Sequence, residues 1–260
     1  MNKLRVGICG WGNVATGLFK TLQTNSVEIK KRSNLEIEII AIGARRDNPK
    51  CDPGNVIIER DIFKIIDHDI DVIVELIGGV DVARDLILKA LNAKKHVVTA
   101  NKAVIFNHGD ELLSIANKNG VNLLYESSVC AGTPIIKLLN QELAASKISK
   151  ISGMLNGTSN FILSNMEKGM EFEPTLKLAQ EKGYAEPDPS FDIEGTDAAH
   201  KIGILSSLAF GTALPPENFY IEGISKIDKI AVERLVLKKM PLIEKVLENL
   251  LHLYHQYFSK

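Results

Sequence analysis

Two lysines and a group of acids carry the chemistry that side chains alone could perform in this chain. Lys201 follows Asp197 by four residues, a spacing that puts both on one face of a helix. The same stripe continues through Ile204 and Leu208, so the lysine sits on an otherwise inward-facing row. An ammonium there needs a partner or a task, because burying it unpaired costs several kcal/mol. The plain alternative is that it reaches along its own stem to the surface. Upstream, Glu186, Asp188, Asp192 and Glu194 gather in a turn-rich segment with Pro187 and Pro189. Such acids can hold a cationic substrate group, or they can simply solvate a loop. Lys102 follows a short β-rich run at 96–100, and ligands of open α/β sheets bind outside the carboxyl ends of strands. Otherwise it is an exposed lysine at a helix start, a position the helix dipole disfavours.

A second constellation is backbone rather than side chain. Gly10-Trp11-Gly12-Asn13-Val14-Ala15 follows an apolar run and opens a helical pattern, with alanine in the third glycine position. Gly10 permits a tight turn, Gly12 lets the backbone approach a pyrophosphate, and Ala15 is small enough for close helix–strand packing. The free N–H groups and partial positive charge of the helix start suit a phosphate. A bare structural turn is the competing reading. At the end of the second strand, Ala44-Arg45-Arg46-Asp47 places Arg45 and Arg46 where an arginine accommodates a 2′-phosphate, which favours NADP(H). Asp47 keeps NAD(H) possible, and a solvated charged turn is the bland account of the same residues.

The elements that must position these groups alternate. Apolar, β-rich runs at 4–9, 35–42, 71–77, 96–100 and 122–126 are separated by helical spacing at 14–24, 82–91 (with Asp81 as N-cap) and 111–118, which stops at Gly120. That order predicts right-handed crossovers and a mostly parallel Rossmann-type sheet covered on both faces. After about residue 130 the pattern changes. Pro134 starts a helix through 142, 150–156 reads as a strand, and 159–168, 175–181 and 196–210 read as helices. Residues 213–218 form a loop, and the tail is helix broken at Pro241 with Leu242, Val246, Leu250 and Leu253 on one stripe. The expected organisation is therefore a dinucleotide domain at 1–130, a catalytic domain at 131–228 and a helical tail at 229–260.

The chain has 260 residues, 45% hydrophobic and 24% charged, with a net charge of −1. That suits a globular protein with no basic field for nucleic acid or membrane, so a small-molecule partner is expected. Three cysteines form no CxxC pair, no signal peptide is read at the start, and no run approaches the ~20 apolar residues of a membrane span. These features point to the cytoplasm.

Several stretches resemble the homoserine dehydrogenase family: Thr99-Ala100-Asn101-Lys102-Ala103, Tyr125-Glu126-Ser127-Ser128-Val129-Cys130-Ala131-Gly132-Thr133-Pro134 and Gly153-Met154-Leu155-Asn156-Gly157-Thr158-Ser159-Asn160. Most specific is Gly183-Tyr184-Ala185-Glu186-Pro187-Asp188-Pro189, leading to Asp192 and Gly195-Thr196-Asp197-Ala198-Ala199-His200-Lys201. The resemblance covers about residues 3–225. It implies reversible NAD(P)H-dependent reduction of aspartate 4-semialdehyde to homoserine, toward threonine and methionine, on a Rossmann domain followed by an α/β substrate and dimerisation domain. It places Lys201 as proton donor and Lys102 near cofactor and substrate, with Thr99 on the cofactor side. Glu186, Asp192 and Asp197 become the substrate-binding acids. Glu126, Val129, Ala131 and Thr133 fall on a loop that holds a structural monovalent cation, sodium being the expected ion, largely through backbone carbonyls. A homodimer through the substrate domain is implied as well. After about residue 227 the family pattern is not read, including its glycine-rich segment, and no ACT domain is read or expected. The alternative is thus a truncated, catalytically impaired homologue that binds dinucleotide without turnover. Another dehydrogenase of Rossmann plus α/β architecture is disfavoured by the Glu186 to Lys201 run.

Overall fold

The computed structural model describes residues 2–215, 220–228 and 230–232, and the chain divides into two compact units, the first ending at Lys137 and the second starting at Leu138. The expected boundary near 130 falls later because residues 131–137 are tied back to the first unit. There the Glu126 carboxylate accepts the N–H of Ile136 at 2.8 Å and of Lys137 at 2.9 Å.

The first unit contains strands β1 (Asn2–Cys9), β2 (Leu35–Gly43), β3 (Ile57–Glu59), β4 (Val72–Glu75), β5 (His96–Thr99) and β6 (Leu123–Leu124). They form one sheet in the order β3-β2-β1-β4-β5-β6, with every neighbouring pair parallel. The chain reverses its direction of travel across the sheet at β1, between β2 and β4, and such a switch point is where open α/β sheets bind ligands. Ile8 and Cys9 are both fully buried. Successive side chains point to opposite faces, so both faces are covered, as a parallel sheet requires.

Helix α1 (Asn13–Thr24) buries Ala15, Thr16 and Phe19. Phe19 packs into a cluster with Val6, Ile8, Trp11, Ile42 and Val74. Burying such a ring contributes about 1.5–3 kcal/mol, and Trp11 meets it edge-on at 5.2 Å and 84°. Helices α2 (Ser26–Ser33), α3 (Asp81–Asn92) and α4 (Lys102–Asn119) belong to the same unit.

In the first unit, four elements depart from the sequence expectation. Helix α2 is absent from the sequence expectation because it buries no residue and so shows no apolar period. Strand β3 is too short to announce itself. Helix α4 starts at Lys102 rather than near 111, since Asn101 caps it by accepting Val104 N–H at 3.2 Å, while the mid-helix Gly109, itself buried, masked the first turns. Asp81 is the first helical residue of α3, not its N-cap, which is Val80. Its charge still favours the helix start.

The first unit ends in the short helix α5 (Ile135–Lys137), and the second opens with a π-helical turn at Leu138–Glu142. These two account for the helix expected from Pro134. Helices α6 (Gly157–Met166), α7 (Phe172–Glu181), α8 (Ser190–Ile193) and α9 (Thr196–Phe210) follow. Ile162, Leu163 and Met166 of α6 and Ala179 of α7 form a core with Ala185, Ile224 and Val232. The strand expected at 150–156 is not formed. A strand needs a ladder partner, and the second unit offers none among its described residues. The expected loop at 213–218 is described only to Pro215, and the tail helix with Leu242, Val246, Leu250 and Leu253 lies outside the described residues.

Candidate functional site

In the first unit the glycine turn leaves β1 and enters α1. Gly10 has φ +110°, a left-handed value that L side chains rarely adopt, and a Cβ there would lie 2.5 Å from the Leu76 carbonyl oxygen. Gly12 is the N-cap of α1 and makes no side-chain cap hydrogen bond. A Cβ on Gly12 would meet nothing within 4 Å. The two glycines therefore serve different ends: Gly10 answers to the fold, and Gly12 keeps space open over the uncapped helix start. An anionic group fits that cradle. Ala15 is 1% exposed and lies in the core, where a larger side chain would push the helix from the sheet. Asn13 and Val14 are exposed at the first helical turn, and the Trp11 carbonyl accepts Asn48 Nδ2 at 3.0 Å.

Beyond β2, Arg45 and Arg46 are exposed. Asp47 is engaged by Arg60 Nη2 at 2.6 Å, and Arg60 Nη1 also donates to the Ala44 carbonyl at 3.2 Å. Sequence reasoning missed Arg60, because the short β3 that brings it beside Asp47 left no periodic signal. The ion pair draws on the one acid that favoured NAD.

Thr99 is 1% exposed, and its hydroxyl is directed inward to Glu75 Oε2 at 2.5 Å. It lies at the carboxyl end of β5 but presents no side-chain surface. Lys102 is half-buried and begins α4 directly after the capping Asn101.

The expected cation loop runs through a turn in which the Glu126 side chain is already used by Ile136 and Lys137 N–H. The Thr133 carbonyl accepts Ile135 N–H at 2.8 Å. Among the described residues, no hydrogen bond ends on the Val129 or Ala131 carbonyl. The Val129 and Ala131 carbonyls are thus main-chain oxygens of this turn that could meet a hard cation.

The second unit holds a cleft of about 680 Å³ whose lining includes Asn156, Thr158, Asn160, Tyr184, Asp192, Asp197 and Lys201. Lys201 does not reach for the surface. Its ammonium lies 2.8 Å from Asp197 Oδ2 and donates to the Leu155 carbonyl at 2.7 Å, with side-chain exposures of 18% and 6% for the pair. Asn156 joins the two acids, its Nδ2 donating to Asp197 Oδ2 at 2.9 Å and to Asp192 Oδ1 at 2.7 Å. Its Oδ1 accepts Ser159 N–H at 2.7 Å and so caps α6. Thr158 Oγ1 closes the set on Asp192 Oδ2 at 3.1 Å. The structure thus brings Lys201, Asp197 and Asp192 together. Glu186 is exposed and stands outside the residues that line this cleft, its carbonyl held by Gln180 Nε2 at 3.2 Å.

Asn156 was not singled out from sequence as a site residue. The available signal was its place before Gly157-Thr158-Ser159, where asparagine makes a good N-cap. That it also bridges two carboxylates depends on α8 and α9 packing beside α6.

Two family descriptions match the chain: "Homoserine dehydrogenase, NAD binding domain" over residues 10–126 and "Homoserine dehydrogenase" over 134–245. The second match runs to residue 245, so the family resemblance extends beyond the limit near 227 expected from sequence, into residues outside those described. A homoserine dehydrogenase of Pseudomonas aeruginosa is 50% identical over 229 residues, covering 87% of this chain and 53% of the relative. The structure of the Thiobacillus denitrificans homoserine dehydrogenase is 42% identical with a TM-score of 0.87, covering 92% of this chain and 56% of that one. A hyperthermophilic archaeal homoserine dehydrogenase solved in complex with NADPH is 28% identical with a TM-score of 0.77, covering 87% of this chain and 76% of that one. The chain spans about half the length of the curated relatives it matches. With a parallel dinucleotide sheet, an open glycine turn and a lysine–acid cleft in the positions of the two matched domains, the chain belongs to the homoserine dehydrogenase family.

Proposed function

We propose that the chain interconverts L-homoserine and L-aspartate 4-semialdehyde with NADP(H), in the synthesis of threonine and methionine. The observation that carries this reading is the Lys201–Asp197–Asn156–Asp192 network in a polar cleft. Bound nicotinamide dinucleotide supplies or takes up the hydride, chemistry that no side chain performs. What the chain adds is a proton and an electrostatic frame. Reduction of an aldehyde places negative charge on its oxygen, and the Lys201 ammonium stabilises and protonates that oxygen. Asp197 and the Leu155 carbonyl engage two of its three hydrogens, which leaves one for a substrate oxygen. Asp192 lies in the same cleft as the acid for the substrate's α-ammonium, with Glu186 as a further carboxylate on the same chain segment.

In the first unit, Gly12 and the start of α1 hold the pyrophosphate. Arg45, with Arg46, meets the 2′-phosphate, and Lys102 stands at the carboxyl end of β5 as the second cation. NADP(H) is favoured because the Asp47 carboxylate is paired with Arg60. The NADPH complex of the archaeal relative supports the same choice. The turn at 126–133 is assigned a monovalent cation held by main-chain carbonyls.

The deciding experiment follows NADP⁺ reduction with homoserine, beside NADPH binding. Lys201→Ala is expected to lower turnover by ~10²–10⁴-fold and to leave NADPH affinity unchanged. Wild-type binding with no turnover would instead favour a protein that holds dinucleotide only. Near-normal turnover in Lys201→Ala would move the proton to another group.

A further inference from the structure

Glu75 closes β4 with no exposed surface, a carboxylate where an unpaired charge would cost several kcal/mol. It belongs neither to the glycine turn nor to the polar cleft. Its two oxygens face two different loops. Oε1 accepts the N–H of Ile77 at 2.9 Å, in the segment that follows β4. Oε2 accepts the hydroxyl of Thr99 at 2.5 Å, on the residue paired with Glu75 in the parallel register of β4 and β5. The Thr99 oxygen accepts Asn101 N–H at 3.0 Å. Asn101 then works in two directions, its Nδ2 donating to the Gly79 carbonyl at 2.6 Å and its Oδ1 capping α4 through Val104 N–H.

One carboxylate therefore fixes the loops after β4 and β5 and, through Asn101, the first turn of α4. The same region is seated against the glycine turn. Leu76 N–H donates to the Cys9 carbonyl at 2.8 Å, and the Leu76 carbonyl is the oxygen that leaves no room for a Cβ on Gly10. These three segments are the carboxyl ends of adjacent strands β1, β4 and β5, where a ligand of this sheet binds. The bonding also specifies the group. Ile77 N–H can only donate, and the Thr99 hydroxyl, receiving Asn101 N–H, turns its one hydrogen to Glu75. With the Thr99 hydrogen turned to Oε2, both Glu75 oxygens accept, as a carboxylate does; an amide would have to reverse the bond to Thr99.

We propose that Glu75 is a positioning residue for the dinucleotide: with Thr99 and Asn101 it holds the loops after β4 and β5 ready beside the Gly10 turn, without touching the cofactor. Loops held in place before binding need not be ordered at the expense of affinity. The inference rests on the dinucleotide reading above.

The test uses the full chain and three variants: Thr99→Val, which keeps shape and removes the hydroxyl, Thr99→Ser, which keeps the hydroxyl, and Glu75→Gln. NADPH affinity is read by fluorescence titration and unfolding by circular dichroism without cofactor, with homoserine KM taken at saturating NADPH. Thr99→Val and Glu75→Gln are expected to weaken NADPH about tenfold, equivalent to about 1.4 kcal/mol, with homoserine KM unchanged. Thr99→Ser is expected to restore wild-type affinity. If Glu75→Gln does not fold, Thr99→Val carries the test. A Thr99→Val chain that melts earlier yet binds NADPH as wild type does would reduce Glu75 to a stabilising role and overturn the proposal. So would a loss in Thr99→Ser as large as in Thr99→Val. A wild-type chain that binds no NADPH removes the dinucleotide reading and this inference together, whereas wild-type binding with unaltered variants removes this inference alone.

Discussion

Gly10 and Leu76 meet backbone to backbone: the carbonyl oxygen of Leu76 occupies the space, 2.5 Å away, where any side chain on Gly10 would begin. Two residues on, Gly12 faces open space. The motif's glycines should therefore fail differently. Gly10→Ala is expected to lower the thermal midpoint, since φ +110° and the close oxygen both oppose a Cβ. Gly12→Val is expected to lower the midpoint less than Gly10→Ala, through the poorer N-cap alone, and to abolish NADPH binding. Parallel melting curves and fluorescence titrations check this, and equal midpoint losses in both variants would refute the division of roles.

Arg45 is exposed at the end of β2, whereas the neighbouring Asp47 is held by Arg60. Arg45→Ala should weaken NADPH more than NADH, by about 1.5–3 kcal/mol for a charge-assisted contact. Titration with both cofactors decides it. Equal losses would show that Arg45 only shapes the turn.

Asn156 has two duties, capping α6 and bridging Asp192 to Asp197. Asn156→Ala should cost about 0.5–2 kcal/mol from the lost cap alone and should also lower kcat/KM for homoserine. Asn156→Ser can restore the cap but not the bridge, so it should recover stability without activity. Full activity in Asn156→Ser would dismiss the bridge.

Cys9 is fully buried, and burial, with the nearby Glu75 carboxylate second, pushes its thiol up to about 12. A thiol raised in this way holds its proton more tightly when folded, so it stays protonated and inert across the neutral range and loses that proton only as pH rises through about 12. In native protein at mildly alkaline pH, iodoacetamide should label the partly exposed Cys130 and spare Cys9, which reacts only after denaturation. Mass spectrometry of the digested protein reads the outcome. Labelling of native Cys9 as fast as Cys130 would show that the sheet opens there.

How much of this was legible in the sequence depended on how local each cause is. The glycine turn, the strands β1, β2, β4 and β5 and the helix α9 announce themselves, because a turn's glycines, a run of buried apolar residues and an i to i+4 pair are properties of neighbouring residues. The Asp197–Lys201 pair was readable for that reason. The helix α2 was not, since it buries nothing, and α4 was misplaced because a buried glycine looks like a breaker until its neighbour is known. The strand expected at 150–156 failed for the complementary reason: a strand's existence depends on a partner elsewhere. Only tertiary structure decided that Asp47 is paired with Arg60, that Asn156 bridges two acids and that the Thr99 hydroxyl turns inward to Glu75. Each joins residues far apart in the chain, at distances set by parallel strand register or helix packing. The sequence alone determined which chemistry was on hand and which half of the chain carried it. Which groups are free to use it was decided by the partners that folding assigned to them.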